Sequence, residues 1–429
     1  FDALEKRIEE IRNNVPEDLF ELQYREIILE KILPLIQQAK IMSQKYDVVC
    51  TNPPYMGIRN MNSKLAEYLD ENFKNSKGDL FAVFMELDDI YLKNNGFLGT
   101  INQHSWMFLS SYENLRRKII NNRSIYNMAH LGSHAFEEIG GQVVQSTSFI
   151  LKKQNIPNYS GIYIRLIDWK TPHIKELKLL EAIENPNVEY KYITKTICFS
   201  SIPGNPFAYW VSDRVISAFE KGIKLKDIGD TRQGMATSDN NRFLRFWHEV
   251  EKSKIKYGCK NSDEALQSGC KWFPYNKGGR FRKWYGNNEY VVNWENDGAE
   301  IKAYASKLYK TPTRTIKSIS EYFKKSVSWS KVSGGDIAFR FYPEGFIFDV
   351  AGCCIFFNFN ESKLKYLLAF LNTSVCKNII AAISPTLNYE AGHVASLPVI
   401  IYKNELNMIN EFVKKNISIA KSDWDSFET

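Results

Sequence analysis

The run Tyr46-Asp47-Val48-Val49-Cys50-Thr51 stops abruptly at Asn52-Pro53-Pro54-Tyr55, and nothing else in the chain restricts its fold so tightly. Consecutive prolines lack N–H donors and fix φ, so no sheet ladder continues through them. The short, largely apolar run before them predicts a strand buried on both faces of a parallel sheet. Apolar residues set among charged ones at Leu4-Glu5-Lys6-Arg7-Ile8, and again through Ile27 to Leu33, predict helices over 1–45. Beyond the prolines, Leu80, Phe84, Leu87 and Tyr91 share one helical face, and Asn94-Asn95-Gly96 predicts the stop of a helix over 79–95. Strands are expected at 97–101, 125–131 and 143–151, with a helix at 113–120 and a Gly140-Gly141 loop between them. This alternation of strand and helix predicts an α/β sheet, mainly parallel.

The pattern weakens after residue 155, where a strand at 161–167 precedes a helix at 174–183, and Ser201-Ile202-Pro203-Gly204-Asn205-Pro206 reads as a linker. From about 222 onward Gly, aromatic and basic residues dominate. Strands are expected there at 338–342 and 346–350, then a helix at 362–380, a turn-rich stretch at 384–395 and an amphipathic helix from Lys403. The boundaries drawn are 1–200 for the α/β portion, 201–402 for a mixed α+β domain and 403–429 for a final helical segment.

A length of 429 residues allows two or three domains. No stretch of about 18 apolar residues occurs, which argues against a membrane span. The seven cysteines are irregularly spaced, with neither CxxC nor HExxH, so neither a disulfide framework nor a metal is expected and a reduced, cytoplasmic setting fits. The first residue, Phe1, suggests a piece of a longer product. The net charge of +7 is unevenly spread: residues 251–330 hold 16 Lys/Arg against 8 Asp/Glu. The same stretch contains Trp272, Phe273, Tyr275, Phe281, Trp284, Tyr285, Tyr290 and Trp294. Cations interleaved with rings suit a polyanion, although a solvated surface over an aromatic core gives the same composition.

Chemistry concentrates where the first strand ends, because ligands of open α/β sheets bind beyond the carboxyl ends of strands. The Asn52 amide oxygen and the Pro53 carbonyl together can accept both hydrogens of a planar exocyclic amine, shifting electron density onto its nitrogen. Pro54 stiffens the loop. Tyr55 can stack on the ring that bears the amine, or be an ordinary core residue.

At these residues the sequence resembles the NPPY motif of the gamma class of adenine-N6 DNA methyltransferases, and within it the PglX-type enzymes of BREX phage-defence systems. The likeness extends to Gly78-Asp79-Leu80-Phe81-Ala82-Val83-Phe84, Gln103-His104-Ser105-Trp106-Met107-Phe108, Ala135-Phe136-Glu137-Glu138-Ile139-Gly140-Gly141 and Lys271-Trp272-Phe273-Pro274-Tyr275. NPPY is also similar to the motif of glutamine methyltransferases acting on release factors, but the long basic second domain argues against those.

The resemblance implies a partial Rossmann-like methyltransferase domain followed by a target recognition domain, double-stranded DNA with a flipped adenine as substrate, and S-adenosylmethionine as cofactor. It also implies cooperation with other BREX proteins. Asn52, Pro53, Pro54 and Tyr55 would be catalytic, Phe136 would close on the other face of the adenine, and Phe84 would pack against the cofactor's adenine ring. Arg232, Arg242, Arg280, Arg282 and Arg340 are the candidates for contacts to DNA. The family's glycine-rich cofactor loop lies upstream of NPPY, and residues 1–56 contain no glycine. The piece alone is therefore expected to be inactive. Two other readings remain open: a DNA-binding or interaction module without methylation, and the methylating part of a fused restriction-modification enzyme.

Overall fold

The computed structural model describes residues 1–137, 144–357, 361–384 and 388–428. They fall into two units, Phe1–Phe199 and Ser200–Thr429. The first opens with helices α1 (Asp2–Asn13), α2 (Leu19–Ile27) and α3 (Leu33–Ser43), the last two joined through a π turn at Ile28–Ile32. There follow β1 (Tyr46–Thr51), α4 (Ser63–Asn72), α5 (Leu80–Tyr91), β2 (Leu92–Gln103), α6 (Glu113–Asn122) and β3 (Ser124–Gly132). The unit ends with β4 (Ser146–Lys152), β5 (Ser160–Arg165), α7 (Pro172–Glu184) and β6 (Lys191–Lys195).

The six strands form one sheet in the order β1-β2-β4-β3-β5-β6. β1 pairs parallel with β2, and β3 parallel with β5. β4 runs antiparallel to both β2 and β3, and β6 antiparallel to β5. Four strands thus share a direction, the sense in which the sheet is mainly parallel. Its core holds Phe81, Leu98, Trp106, Ile125, Phe149 and Tyr163, each nearly inaccessible.

Two expectations need correction. β1 is not buried on both faces: among the described residues it pairs with β2 alone, and Val48 is 57% exposed. Edge position overrides its apolar composition. The helix expected over 79–95 ends at Tyr91, because Leu92 already pairs with Tyr46 and the ladder resumes at Val48 and Phe97. The intervening bulge carries Asn95 at φ 66°. Gly140, Gly141 and Val143 lie outside the described residues.

The second unit contains two four-stranded sheets. One joins Leu244–Phe246, Trp272–Asn276, Tyr290–Asn293 and Ile347–Phe348, and the other joins Asp230–Arg232, Ser326–Ser330, Phe339–Tyr342 and Gly352–Phe356. Helices at Glu361–Leu371, Ser374–Ile383 and Leu406–Glu428 supply Leu367, Leu371, Ile379 and Val413 to the core around Trp329 and Ile355. The single helix expected at 362–380 is therefore two. Of the interleaved rings, Phe273, Tyr275 and Trp294 are core, whereas Phe281 is exposed and Trp284, Tyr285 and Tyr290 are half-buried. Among the described residues no single helix is long and apolar enough to cross a membrane.

Candidate active site

The shared direction of β1, β2 and β3 gathers their carboxyl ends on one edge, where antiparallel β4 begins. Thr51 sits opposite Thr100 of β2, while Gln103 and Gly132 flank Ser146 from either side. The loop Asn52–Tyr55 leaves β1 at this edge. Asn52 is exposed, and its amide makes no hydrogen bond with the described residues. Pro53 is buried, Pro54 exposed and Tyr55 half-buried. An exposed amide on a backbone stiffened by prolines is a preset acceptor rather than a group that must be ordered on binding.

Tyr55 meets Phe81 edge to face, with ring centroids 6.0 Å apart, and Phe81 in turn lies 5.9 Å from Tyr112. Burial raises the Tyr55 phenol pKa, partly offset by a hydrogen bond with Ser146, and the charge of Asp79 raises it further. The phenol is therefore neutral at physiological pH. Backbone bonds lock residues 56–58 against the start of α5. Leu80 donates to the Met56 carbonyl at 3.1 Å, Ile58 donates to Gly78 at 3.1 Å, and Gly57 bridges Asp79.

The segment after β2 is braced from below. Arg116 is buried and donates to the carbonyls of Trp106 at 2.8 Å and Leu109 at 2.7 Å. Burial lowers its pKa to about 10, still far above neutrality. His104 Nδ1 and His130 Nε2 lie 2.8 Å apart. One nitrogen of that contact must be bare for the other to donate, so the pair cannot be doubly charged. Burial agrees, lowering the His104 pKa to about 4 and that of His130 well below its ordinary value. His104 is thus structural, and His134 sits half-buried beyond β3 at φ 55°.

Phe136 lies on the loop after β3, 43% exposed. Gly132 starts that loop at φ +66°, where a Cβ would strike Ile167. Lys175 of α7, itself buried, donates to the carbonyls of Leu131 and Leu166 and so pins both strand ends beside it. Phe84 is half-buried on α5. The sheet edge thus brings Asn52–Tyr55 together with Ser146, whereas no described contact joins Phe136 or Phe84 to that loop. Sequence reasoning missed Asp79, Arg116 and Lys175, whose partners lie too far along the chain for any local signal.

The five arginines of the second unit differ sharply. Arg232 pairs with Asp230 at 2.5 Å, Arg242 with Glu300 at 2.7 Å and Arg282 with Asp423 at 2.7 Å. Arg340 is 1% exposed and donates to the Arg282 carbonyl and the Ser330 hydroxyl, an internal brace that does not present its charge to a polyanion. Arg280 is exposed and has no ion-pair partner among the described residues. Those residues also contain no cluster of three or more metal-ligating side chains.

The family described as Eco57I restriction-modification methylase matches residues 2–136. The chain is 40% identical over 399 residues to the adenine-specific methyltransferase PglX of Lacticaseibacillus casei (strain Zhang), covering 92% of this chain and 32% of that protein. It is 39% identical over 415 residues to the adenine-specific methyltransferase BrxX of Escherichia coli O9:H4 (strain HS), covering 95% and 32%. The chain thus spans about a third of the length of these curated relatives. In fold it is similar to the Type IIL restriction-modification enzyme MmeI, solved in complex with DNA, with a TM-score of 0.53 at 12% identity over 85% of this chain and 48% of that one. It is also similar to a nuclease-deletion mutant of the Type ISP enzyme LlaGI, solved with a DNA substrate mimic, with a TM-score of 0.52 at 13% identity over 96% and 37%.

Proposed function

The chain is kin to the PglX and BrxX adenine-specific methyltransferases along nearly its whole length, and from that premise we propose that it forms the amine-holding and DNA-reading part of a DNA adenine-N6 methyltransferase. The enzyme would use S-adenosylmethionine and mark host DNA in a BREX-type phage-defence system. The observation that carries the reading is the Asn52–Tyr55 loop at the carboxyl end of β1, with the Asn52 amide exposed and uncommitted.

An adenine extruded from the duplex presents its N6 amine to this loop. Asn52 Oδ1 and the Pro53 carbonyl accept its two hydrogens, and Tyr55 stacks on the ring. Stacking offsets part of the unstacking cost of a few kcal/mol. Phe136, exposed on the neighbouring loop, is assigned to the opposite face. S-adenosylmethionine supplies the methyl group when bound. The half-buried ring of Phe84 is assigned to pack against its adenine, and the glycine-rich loop that would hold its methionine part is not found in residues 1–56, which contain no glycine.

The second unit is assigned to sequence reading, with Arg280 as a phosphate contact and with Arg232, Arg242 and Arg282 each already paired to a carboxylate. Duplex DNA and other BREX proteins are its proposed partners. Single-molecule sequencing of DNA from cells expressing the complete gene with its neighbouring genes tests the reading. N6-methyladenine at one motif, absent with Asn52→Ala, is expected; unmodified DNA in both strains would favour a module that binds without methylating.

A further inference from the structure

Asp79 carries two loads at once. Its carboxylate caps α5, accepting from Phe81 N–H at 3.4 Å, and the same Oδ1 accepts from Met56 N–H at 2.9 Å. Met56 is the residue directly after Tyr55. Around that bond the backbone is sewn to the start of α5 by Leu80 N–H on the Met56 carbonyl, the Gly57–Asp79 bridge and Ile58 N–H on the Gly78 carbonyl. The first turn of α5 then presents Phe81 to the edge of Tyr55.

We propose that Asp79 is a positioning residue for the methyl transfer, setting the orientation of the Asn52–Tyr55 loop through Met56 and thereby the place at which the target amine is held. The inference rests on the function proposed above. The loop is anchored at one end by the β1 ladder and at the other by the bonds of residues 56–58 to the start of α5, of which the Asp79 contact lies nearest Tyr55, and the exposed Asn52 between them has no anchor of its own. Releasing the Met56 N–H loosens the exit of the loop beside Tyr55 while leaving the backbone bonds and the sheet intact. The productive geometry of an amine held by two acceptors tolerates little displacement, so a loosened loop lowers the rate of transfer more than the affinity for DNA.

Capping and clamping are separable by side-chain length. Serine caps helices as well as aspartate does, but is one carbon shorter and does not span to Met56. Asparagine keeps both the length and the Oδ1 acceptor. The test uses the complete gene product with S-adenosylmethionine and a duplex carrying the methylated motif, with kcat and KM measured for wild type, Asp79→Asn and Asp79→Ser. A second set of duplexes carries 2-aminopurine at the target adenine, whose fluorescence reports how the extruded base is held.

Asp79→Asn is expected to match wild type. Asp79→Ser is expected to unfold at the wild-type temperature, to lose roughly five-fold in kcat with KM for DNA nearly unchanged, as for one hydrogen bond, and to shift the 2-aminopurine signal of the bound complex. Wild-type kcat and signal in Asp79→Ser overturn the proposal. So does a loss in Asp79→Asn equal to that in Asp79→Ser, because the carboxylate charge rather than the clamp would then be responsible. If Asp79→Ser is unstable, Asp79→Asn is read against wild type instead, and a loss of kcat in it overturns the proposal. Absence of methylation by the wild-type protein overturns the underlying function instead, an outcome distinct from any difference among the variants.

Discussion

Glu86 and Asp88, two residues apart on α5, are both buried acids, but only one is provided for. Glu86 accepts from the Ser76 hydroxyl at 2.5 Å and pairs with Lys118 at 3.0 Å. Asp88, 5% exposed, leaves Oδ2 without a partner among the described residues, and burial raises its pKa to about 6. Unfolded, this carboxyl titrates near 3.8, so between pH 4 and 6 the folded chain holds a proton that the unfolded chain has lost. Its contribution therefore falls as pH rises through that window. Asp88→Asn should gain stability over wild type above pH 6, by up to about 3 kcal/mol, and lose that advantage at pH 4. Thermal unfolding at the two pH values measures the difference. The histidine pair works in the opposite sense. Its lowered pKa values mean that protons bind the unfolded chain first as pH falls below 6.5, which removes stability toward pH 4. At this scale the Asn52–Tyr55 loop was legible because its chemistry is contiguous in sequence. Asp79 stood out only as one residue of a resembling segment, since its bond to Met56 spans 23 positions.

Among elements, the sequence located most strands of the first unit and few of the second, and misjudged where apolar runs end. The helix expected over 362–380 breaks at Asn372-Thr373 with neither Gly nor Pro to announce it. Thr373 caps the second helix by accepting from Cys376 N–H at 3.1 Å. Asn372 instead pairs like a strand residue, accepting from Phe339 N–H at 3.1 Å and donating to the Phe339 carbonyl at 2.9 Å. A break specified by a side chain mimicking a sheet edge is invisible to periodicity. Asn372→Ala would leave the buried N–H of Phe339 unpaired, while its carbonyl keeps the bond from Trp284 N–H at 2.9 Å, so a loss of about 2 kcal/mol is expected. Calorimetry should register it as a fall in Tm of about 4–8 °C. β1 shows the converse. Its composition reads as interior, yet composition cannot say whether a strand has one neighbour or two.

For the molecule as a whole, the concentration of cations and rings in residues 251–330 was visible in composition. Which cations are free was not, because pairs such as Arg242–Glu300 and Arg282–Asp423 join residues tens of positions apart. Arg280→Ala is expected to weaken DNA binding about equally on all sequences and to reduce the slope of log affinity against log salt by about 1. Titrations of the complete gene product at several salt concentrations check this, and an unchanged slope would remove Arg280 from the interface. The strand order of the first unit also makes one strand indispensable. β4 comes after β3 in the chain but lies between β3 and β2, so those two never pair directly and are joined only through it. Ser146, the partner of the Tyr55 phenol, is the first residue of that strand. The edge that is to hold the amine is thus complete only with β4 in place, and a nascent chain stopped short of residue 146 has the amide of Asn52 but not the seat of Tyr55.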